Sequence, residues 1–375
     1  MSAVSKTRVA VLGASGYTGA DLLRLLVEHP KVSVELVTAE RKAGQAVADT
    51  FPHLAGLELP DLVALDQVEW AGIDIDVVFC ALPHGTSHQV VRGLFHDHQG
   101  NLIDDLLFDD MADRVGAIHG DVRVIDLSAD FRIRDIATYS SWYGVAHSAP
   151  NLQSLAVYGL TEHARERLPG ARLVACPGCY PTAALLALLP LIEQKLIATE
   201  DIIIDAKSGV TGAGRGLKEA NLFSEVAEGM HAYGVGQHRH MPEIEQELSH
   251  AAGLPVVVSF TPHLVPMNRG EFETIYVKLA GAATADKLRD HLRSFYQNAP
   301  FVRVLEEGRL PATRNVRGSN IAEIAVMADR PGGRAIILAA IDNLVKGSSG
   351  QAIQNLNLMM GWEETLGLRQ APLFP

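Results

Sequence analysis

Cys179 stands in Ala175-Cys176-Pro177-Gly178-Cys179-Tyr180-Pro181-Thr182, between a short apolar run, Arg172–Ala175, and a stretch of helical composition that starts around Pro181. A thiol at such a junction meets the free N–H groups and the positive dipole end of a helix, which favour the thiolate and lower the thiol pKa. The residue can therefore act as a nucleophile, but a buried structural cysteine and a Cys176/Cys179 redox pair fit the same letters. Gln237-His238-Arg239-His240-Met241-Pro242-Glu243 adds two imidazoles just ahead of an apparent helix. Histidine titrates close to neutral pH and can activate a thiol or protonate an oxygen, although most histidines are structural. His-x-His without further cysteine or carboxylate ligands is poor zinc spacing, and no metal is expected.

A second pattern, Gly13-Ala14-Ser15-Gly16-Tyr17-Thr18-Gly19, follows the apolar residues Val9–Leu12 and opens a helical stretch. Strand, glycine turn and helix start is where backbone N–H groups meet a dinucleotide pyrophosphate. The spacing is G-x-x-G-x-x-G, so a plain tight turn is the competing reading, and the position directly after the first strand favours nucleotide binding. At the end of the second apolar run stands Val37-Thr38-Ala39-Glu40-Arg41-Lys42. Arg41 and Lys42 can neutralise a ribose 2′-phosphate, whereas an NAD site would set a carboxylate on the 2′-hydroxyl. Glu40 leaves both open.

These residues need elements to carry them. Arg8–Leu12, a helix from about Tyr17 to Glu28, Val32–Val37, Asp76–Leu82 with a helix from about Thr86, and Val122–Leu127 follow the βαβ rhythm of a parallel sheet. His96–Gly120 is polar and acidic and reads as a surface excursion. After Cys179 a helix from about Thr182 to Gln194 precedes the strand candidates Asp201–Ala206, Pro255–Thr261, Thr274–Leu279, Glu323–Ala328 and Ala335–Ile341. That excess of strands predicts a mixed sheet. The fold expected is α/β: a Rossmann-like parallel-sheet domain over residues 1–178, completed by a C-terminal helix within 347–375, and an α+β catalytic and dimerisation domain over 179–346.

At 375 residues the chain exceeds what one core usually serves, and 47% apolar with 20% charged residues is ordinary globular composition. A net charge of -12 argues against nucleic acid and anionic membranes as partners and leaves small anions open. Three cysteines make no disulfide framework, and the start of the chain has no signal-peptide core, so the cytoplasm is expected.

Together with ALPHGTS (81–87), DLSADFR (126–132), YGLTE (158–162), AKSGVTGAGR (206–215) and DNLVKGSSGQA (342–352), the GASGYTG, PGCYPTA and HRHMPEI segments stand in an order and spacing that resemble the N-acetyl-gamma-glutamyl-phosphate reductase family over nearly the whole chain. The resemblance implies an NADPH-dependent reduction of an acyl phosphate to an aldehyde in arginine biosynthesis. Cys179 would form a thioester and His240 would act as acid and base, with His238 nearby. It further implies Arg132 and Lys207 beside the substrate's anionic groups and NADP held by Gly13, Ser15, Gly16, Tyr17, Thr18, Gly19, Thr38, Arg41 and Pro83. Asn343 and Lys346 would approach the nicotinamide, and a homo-oligomer, dimer or tetramer, is implied as well. Two departures stand out: Cys176 replaces an asparagine common in the family before Pro-Gly-Cys, and the excursion at 96–120 is long for it.

The rivals are a reductase for the one-carbon-longer aminoadipyl phosphate of lysine biosynthesis and aspartate-semialdehyde dehydrogenase. The latter carries its catalytic histidine just after a glycine that matches Gly270, where this chain has Glu271. A non-catalytic NADP-binding regulatory protein is the reading from another class, and it has no need of a helix-start cysteine with a histidine pair.

Overall fold

The computed structural model describes residues 6–70, 73–95 and 122–374. They divide into two compact units: one runs to Pro177 and includes Ser349–Leu368, the other comprises Gly178–Ser348 and the tail from Arg369. The excursion at 96–120 lies outside the described residues.

In the first unit the apolar runs become β1 (Thr7–Leu12), β2 (Val32–Thr38), β3 (Leu62–Val63), β4 (Val77–Cys80), β5 (Arg123–Asp126), β6 (Ala156–Tyr158) and β7 (Leu173–Ala175). They form one sheet in the order β3-β2-β1-β4-β5-β7-β6, and every pairing is parallel. Parallel strands are covered on both faces, which is why β1 and β4 read as unbroken apolar runs with little alternation. The order reverses between β1 and β4, and β1 leads straight into the Gly13 turn and the Tyr17–Leu26 helix. The ends of strands at such a reversal are where open α/β sheets bind ligands.

The Gly350–Met359 helix belongs to this unit, as its polar contacts require. Asn355 Nδ2 donates to the Gly159 carbonyl at 2.8 Å and its Oδ1 accepts from Thr161 Oγ1 at 2.7 Å. Ser349 Oγ donates to Asp21 Oδ2 at 2.9 Å. A helix carrying buried glutamine and asparagine persists in a core only if those amides find partners, and the YGLTE segment provides them.

The second unit holds β8 (Ile202–Gly209), β9 (His231–Ala232), β10 (Val258–Val265), β11 (Glu271–Lys278), β12 (Val302–Val304), β13 (Ala322–Ala328) and β14 (Arg334–Ile341). Their order is β12-β13-β14-β11-β8-β10-β9; β8 with β10 and β12 with β13 are parallel and the remaining neighbours antiparallel. Burial alternates along β10 and β11, and along β8 as far as Ser208, so one sheet face is covered and the other half-exposed. The Cys179–Glu193 helix packs on β11 and β14. It is buried from Tyr180 to Ile192. Pro190 within it has no N–H for the Leu186 carbonyl, and Tyr296 Oη donates to that carbonyl at 2.7 Å instead. The tail returns to this unit, with Leu373 N–H donating to Arg317 O at 2.7 Å.

Candidate active site

Each unit carries one set of the residues singled out above. In the first, β1 ends at Leu12 and the chain turns through Gly13 at a φ of +78°. A Cβ there would also lie 2.6 Å from the Ala81 carbonyl oxygen, so both backbone and space demand glycine. Thr38, at the end of β2, buckles the turn: its Oγ1 accepts from Gly13 N–H at 3.1 Å and its carbonyl from Ala14 N–H at 2.8 Å. Gly16 then caps the Tyr17–Leu26 helix with no side-chain hydrogen bond, no acidic residue occupies the first turn, and a Cβ on Gly16 would meet nothing within 4 Å. A helix N-terminus with no side-chain bond at its cap and open space at Gly16, packed closely at Gly19, where a Cβ would lie 2.5 Å from the Ala14 carbonyl oxygen, fits a dinucleotide pyrophosphate beside Ser15, Tyr17 and Thr18.

Glu40 no longer obscures the neighbouring site. Its Oε1 accepts from Leu65 N–H at 3.0 Å, while Arg41 beside it is exposed. Pro83, exposed as well, begins a loop held by Asp130, which accepts from Gly85 N–H at 2.8 Å and from His88 N–H at 3.0 Å. The ALPHGTS and DLSADFR segments are thus one clip, with Asp130 capping the Ser87–Leu94 helix. Arg132 is buried in this unit; its Nε donates to Cys176 O at 2.6 Å and an Nη to Leu127 O at 2.8 Å.

The second unit assembles the thiol. Gly178 caps the Cys179–Glu193 helix, so Cys179 is its first residue. Gly178 N–H donates to Glu243 Oε1 at 2.9 Å, and a Cβ on Gly178 would lie 2.4 Å from His240 Nε2. Only glycine lets the imidazole sit this close to the helix start. Gly347 is required on the other side, since its Cβ would come 2.7 Å from that of Cys179. His240 precedes the Met241–Ala252 helix, and His238 Nδ1 accepts its backbone N–H at 3.2 Å. The His238 ring is packed among Tyr180, Tyr233, Phe260 and His240. Burial, and then Arg239, push it down to about 4, so it stays neutral at physiological pH.

Glu271, the first residue of β11, lies fully buried, neither carboxyl oxygen has a hydrogen-bond partner, and burial pushes its carboxyl up to about 8. Nothing about a lone glutamate after a glycine marked it in the sequence; a carboxylate inside an otherwise alternating strand is the signal available. Glu243 went unmarked for the same reason, as one charged residue in an amphipathic helix.

Lys207 lies in β8. In register it faces Phe272, while Glu271 faces Ser208, so Lys207 and Glu271 stand on opposite faces of the sheet. Lys207 Nζ pairs with Asp205 at 2.5 Å on the half-exposed face, away from the Cys179 helix. Asn343, for its part, is engaged by the protein: Oδ1 accepts from Gly270 N–H at 2.9 Å and Nδ2 donates to Thr211 Oγ1 at 3.0 Å. Lys346 is completely buried one residue before Gly347.

Cys176 belongs to the first unit and Cys179 to the second. Cys176 is buried against Asn355 Nδ2 at 3.6 Å, and burial pushes its thiol up to about 12. None of the three cysteines forms a disulfide. A buried, unionised Cys176 argues against a redox pair.

Two family models match the chain. The sequence model "Semialdehyde dehydrogenase, NAD binding domain" matches residues 8–105, and "Semialdehyde dehydrogenase, dimerisation domain" matches 179–343. Among solved structures, aspartate semialdehyde dehydrogenase II from Vibrio cholerae covers 96% of this chain and 99% of its own with a TM-score of 0.67, at 15% identity, a likeness of fold. Relatives in sequence are much nearer. The N-acetyl-gamma-glutamyl-phosphate reductase of Rhodospirillum rubrum is 54% identical over 99% of both chains. A probable chloroplastic enzyme of that name from Arabidopsis thaliana is 52% identical over 98% of this chain and 85% of its own. With identity of this order along the whole length, the chain belongs to the N-acetyl-gamma-glutamyl-phosphate reductase family.

Proposed function

We propose that the protein reduces N-acetylglutamyl 5-phosphate to N-acetylglutamate 5-semialdehyde, releasing phosphate, with NADPH as reductant, as a step of arginine biosynthesis. The observation that carries the reading is Cys179 at the first position of a buried helix with the His240 ring against its cap. The helix start favours the thiolate, whose sulfur attacks the acyl carbon while the C–O bond to phosphate breaks. His240 supplies the proton taken up by the departing phosphate. A bound nicotinamide supplies hydride to the resulting thioester. The adduct then collapses to aldehyde, and sulfur leaves with its electron pair. Dividing the reduction in this way replaces one difficult displacement by two easier steps.

The matching domain description supports a nicotinamide cofactor, and the uncapped Gly16 turn fits one. NADP over NAD rests on exposed Arg41 next to a Glu40 whose carboxylate is engaged by Leu65. Neutral His238 orients His240 through the backbone hydrogen bond and packs beside the thiol's helix, which favours His240 as the proton carrier. Arg132, pinned by two carbonyls, fits a fixed positive charge for the substrate. We also place the two domain boundaries at the unit divisions, the protein in the cytoplasm, and the subunits in a homo-oligomer joined through the second unit, whose matching family model is a dimerisation domain.

The test is NADPH oxidation with N-acetylglutamyl, N-acetylaminoadipyl and aspartyl phosphates. Turnover with the first at the highest kcat/KM is expected. A preference for the aminoadipyl compound, one methylene longer and separable by only about 1–3 kcal/mol, would move the enzyme to lysine biosynthesis, and failure with all three would sink the reading.

A further inference from the structure

Exposed apolar side chains are not spread evenly over this chain. Between β8 and the Met241–Ala252 helix runs a strap, residues 214–236, whose surface carries Leu217, Leu222, Phe223, Met230 and Val235; Leu217 is wholly exposed and Phe223 is 85% exposed. The strap is ordered only in two short turns, Glu219–Asn221 and Phe223–Val226, and in β9, the two-residue strand at the end of the sheet order. Neither turn holds a buried residue. Apolar groups crowded onto one exposed segment are costly to hydrate and mark a surface that another molecule covers.

We propose that a second copy of this chain covers the strap, and that this contact holds the Cys179–His240 site in its working geometry. The proposal rests on the association through the second unit put forward above, and names the surface that makes it and the consequence for the site. Two observations select a second copy as the occupant. The strap lies within residues 179–343, which match the family model described as a dimerisation domain. Its charges are also complementary to themselves, with Lys218 near its start and Glu225 and Glu228 toward its end, all exposed. A two-fold axis crossing the strap sets it antiparallel to its copy. The basic start of each strap then meets the acidic end of the other, around an apolar centre at Leu222 and Phe223.

The far end of the strap is anchored in the site. Tyr233, directly after β9, donates its N–H to Pro262 O at 3.1 Å, and its phenol shares a hydrogen bond of 2.9 Å with that of Tyr180, the second residue of the Cys179 helix. The Tyr233 ring lies 5.5 Å from the His238 ring, and His238 in turn accepts the backbone N–H of His240. Gly229, Gly234 and Gly236 flank this anchor, and glycine backbone loses the most freedom when it is ordered. Covering Leu222 and Phe223 restrains the segment that leads into both histidines; a separated subunit lacks that restraint.

The experiment is sedimentation velocity of the full chain over a dilution series, with NADPH oxidation on N-acetylglutamyl phosphate measured at the same concentrations. The native protein should sediment as an oligomer. Phe223→Asp should raise the dissociation constant by about thirtyfold, the scale of a central aromatic anchor lost from an interface. Turnover per chain should fall as the variant dissociates and return as its concentration is raised. An oligomer left intact by both Phe223→Asp and Leu217→Asp overturns the proposal, and so does a dissociated subunit with full activity. Should the variants fail to fold, hydrogen exchange of the native oligomer decides: slowed exchange in peptides from 214–236 supports the contact, and exchange at the rate of unstructured chain leaves the strap to another partner and refutes it. A native protein that is monomeric throughout would remove the association reading as well, whereas an oligomer indifferent to the strap removes this inference alone. Sedimentation and exchange need no substrate, so failure of turnover with every acyl phosphate is separable from both.

Discussion

The two helix starts of this protein share one local grammar and differ in what surrounds it. Gly16 and Gly178 each cap a helix that follows a short parallel strand, and neither has a side chain to bond the first turn; only Gly178 meets a carboxylate, that of Glu243, at its own N–H. Above Gly16 a Cβ would find nothing within 4 Å, whereas above Gly178 it would strike the His240 ring. One N-terminus is open, and the other is closed over by the His240 ring beside Cys179. The positive end of a helix dipole favours an anion in either place: on the proposed reading, a ligand's phosphates at the first and the Cys179 thiolate at the second.

The sharpest way to break this comparison is to remove the thiol. Cys179→Ala should abolish measurable reduction while leaving NADPH binding, followed by fluorescence titration, almost unchanged. Cys176→Ser should keep most activity because that sulfur is buried and unionised; its inactivity would revive the paired-cysteine reading. His240→Asn comes next, with an expected fall in kcat of about 10²–10⁴. His238→Asn should act mainly on KM, and the reverse pattern would exchange their roles.

A matched pair of substitutions tests the two caps directly. Gly178→Ala must displace His240 and should lower kcat by roughly a hundredfold, with thermal melting showing whether the fold survives. Gly16→Ala enters open space, so the fold should be kept while the KM for NADPH rises. Equal effects on kcat from both would remove the distinction between an open and a closed helix start. A smaller effect is expected at the cofactor's edge. Arg41→Ala should cut the preference for NADPH over NADH by about tenfold, the scale of one exposed charge-assisted bond. Equal loss with both cofactors would take the 2′-phosphate away from Arg41.

The smallest effect is on stability. His238 and His147 are both held down to about 4 by burial. Between about pH 6.5 and 4 the unfolded chain therefore binds protons that the folded chain refuses, and stability falls as pH falls through that window. His238→Asn should flatten this decline by on the order of 2 kcal/mol. Urea unfolding at pH 4.5 and 7 measures it, and identical slopes would mean that His238 is not the buried neutral ring described here.

Much of the molecule was legible before folding. Apolar runs at Arg8–Leu12 and Val32–Val37 became β1 and β2 almost residue for residue: β1 is buried from Val9 to Leu12 and leaves an unbroken apolar run, while β2 alternates through Ser33 and Glu35 before its buried end. Short strands such as β3, β9 and β12 were not, since two or three residues carry no period. The helix at Cys179 begins two residues earlier than its composition indicated, which moves the thiol from the approach to the helix into its first turn.

By itself the sequence determined the order of the elements, the glycine turn after β1, the candidate thiol and histidine pair, and the family, all of which depend on neighbours in the chain or on motif order. Tertiary structure alone decided the rest. Strand register sent Lys207 to one sheet face and Glu271 to the other, a choice set by a period of two that no single residue reveals. Contacts across long stretches of chain brought Glu243, 65 residues away, to the Gly178 amide and Leu65 to the Glu40 carboxylate. Proton affinity followed from the same packing: Cys176, three residues from Cys179, is held as a thiol because folding buries it.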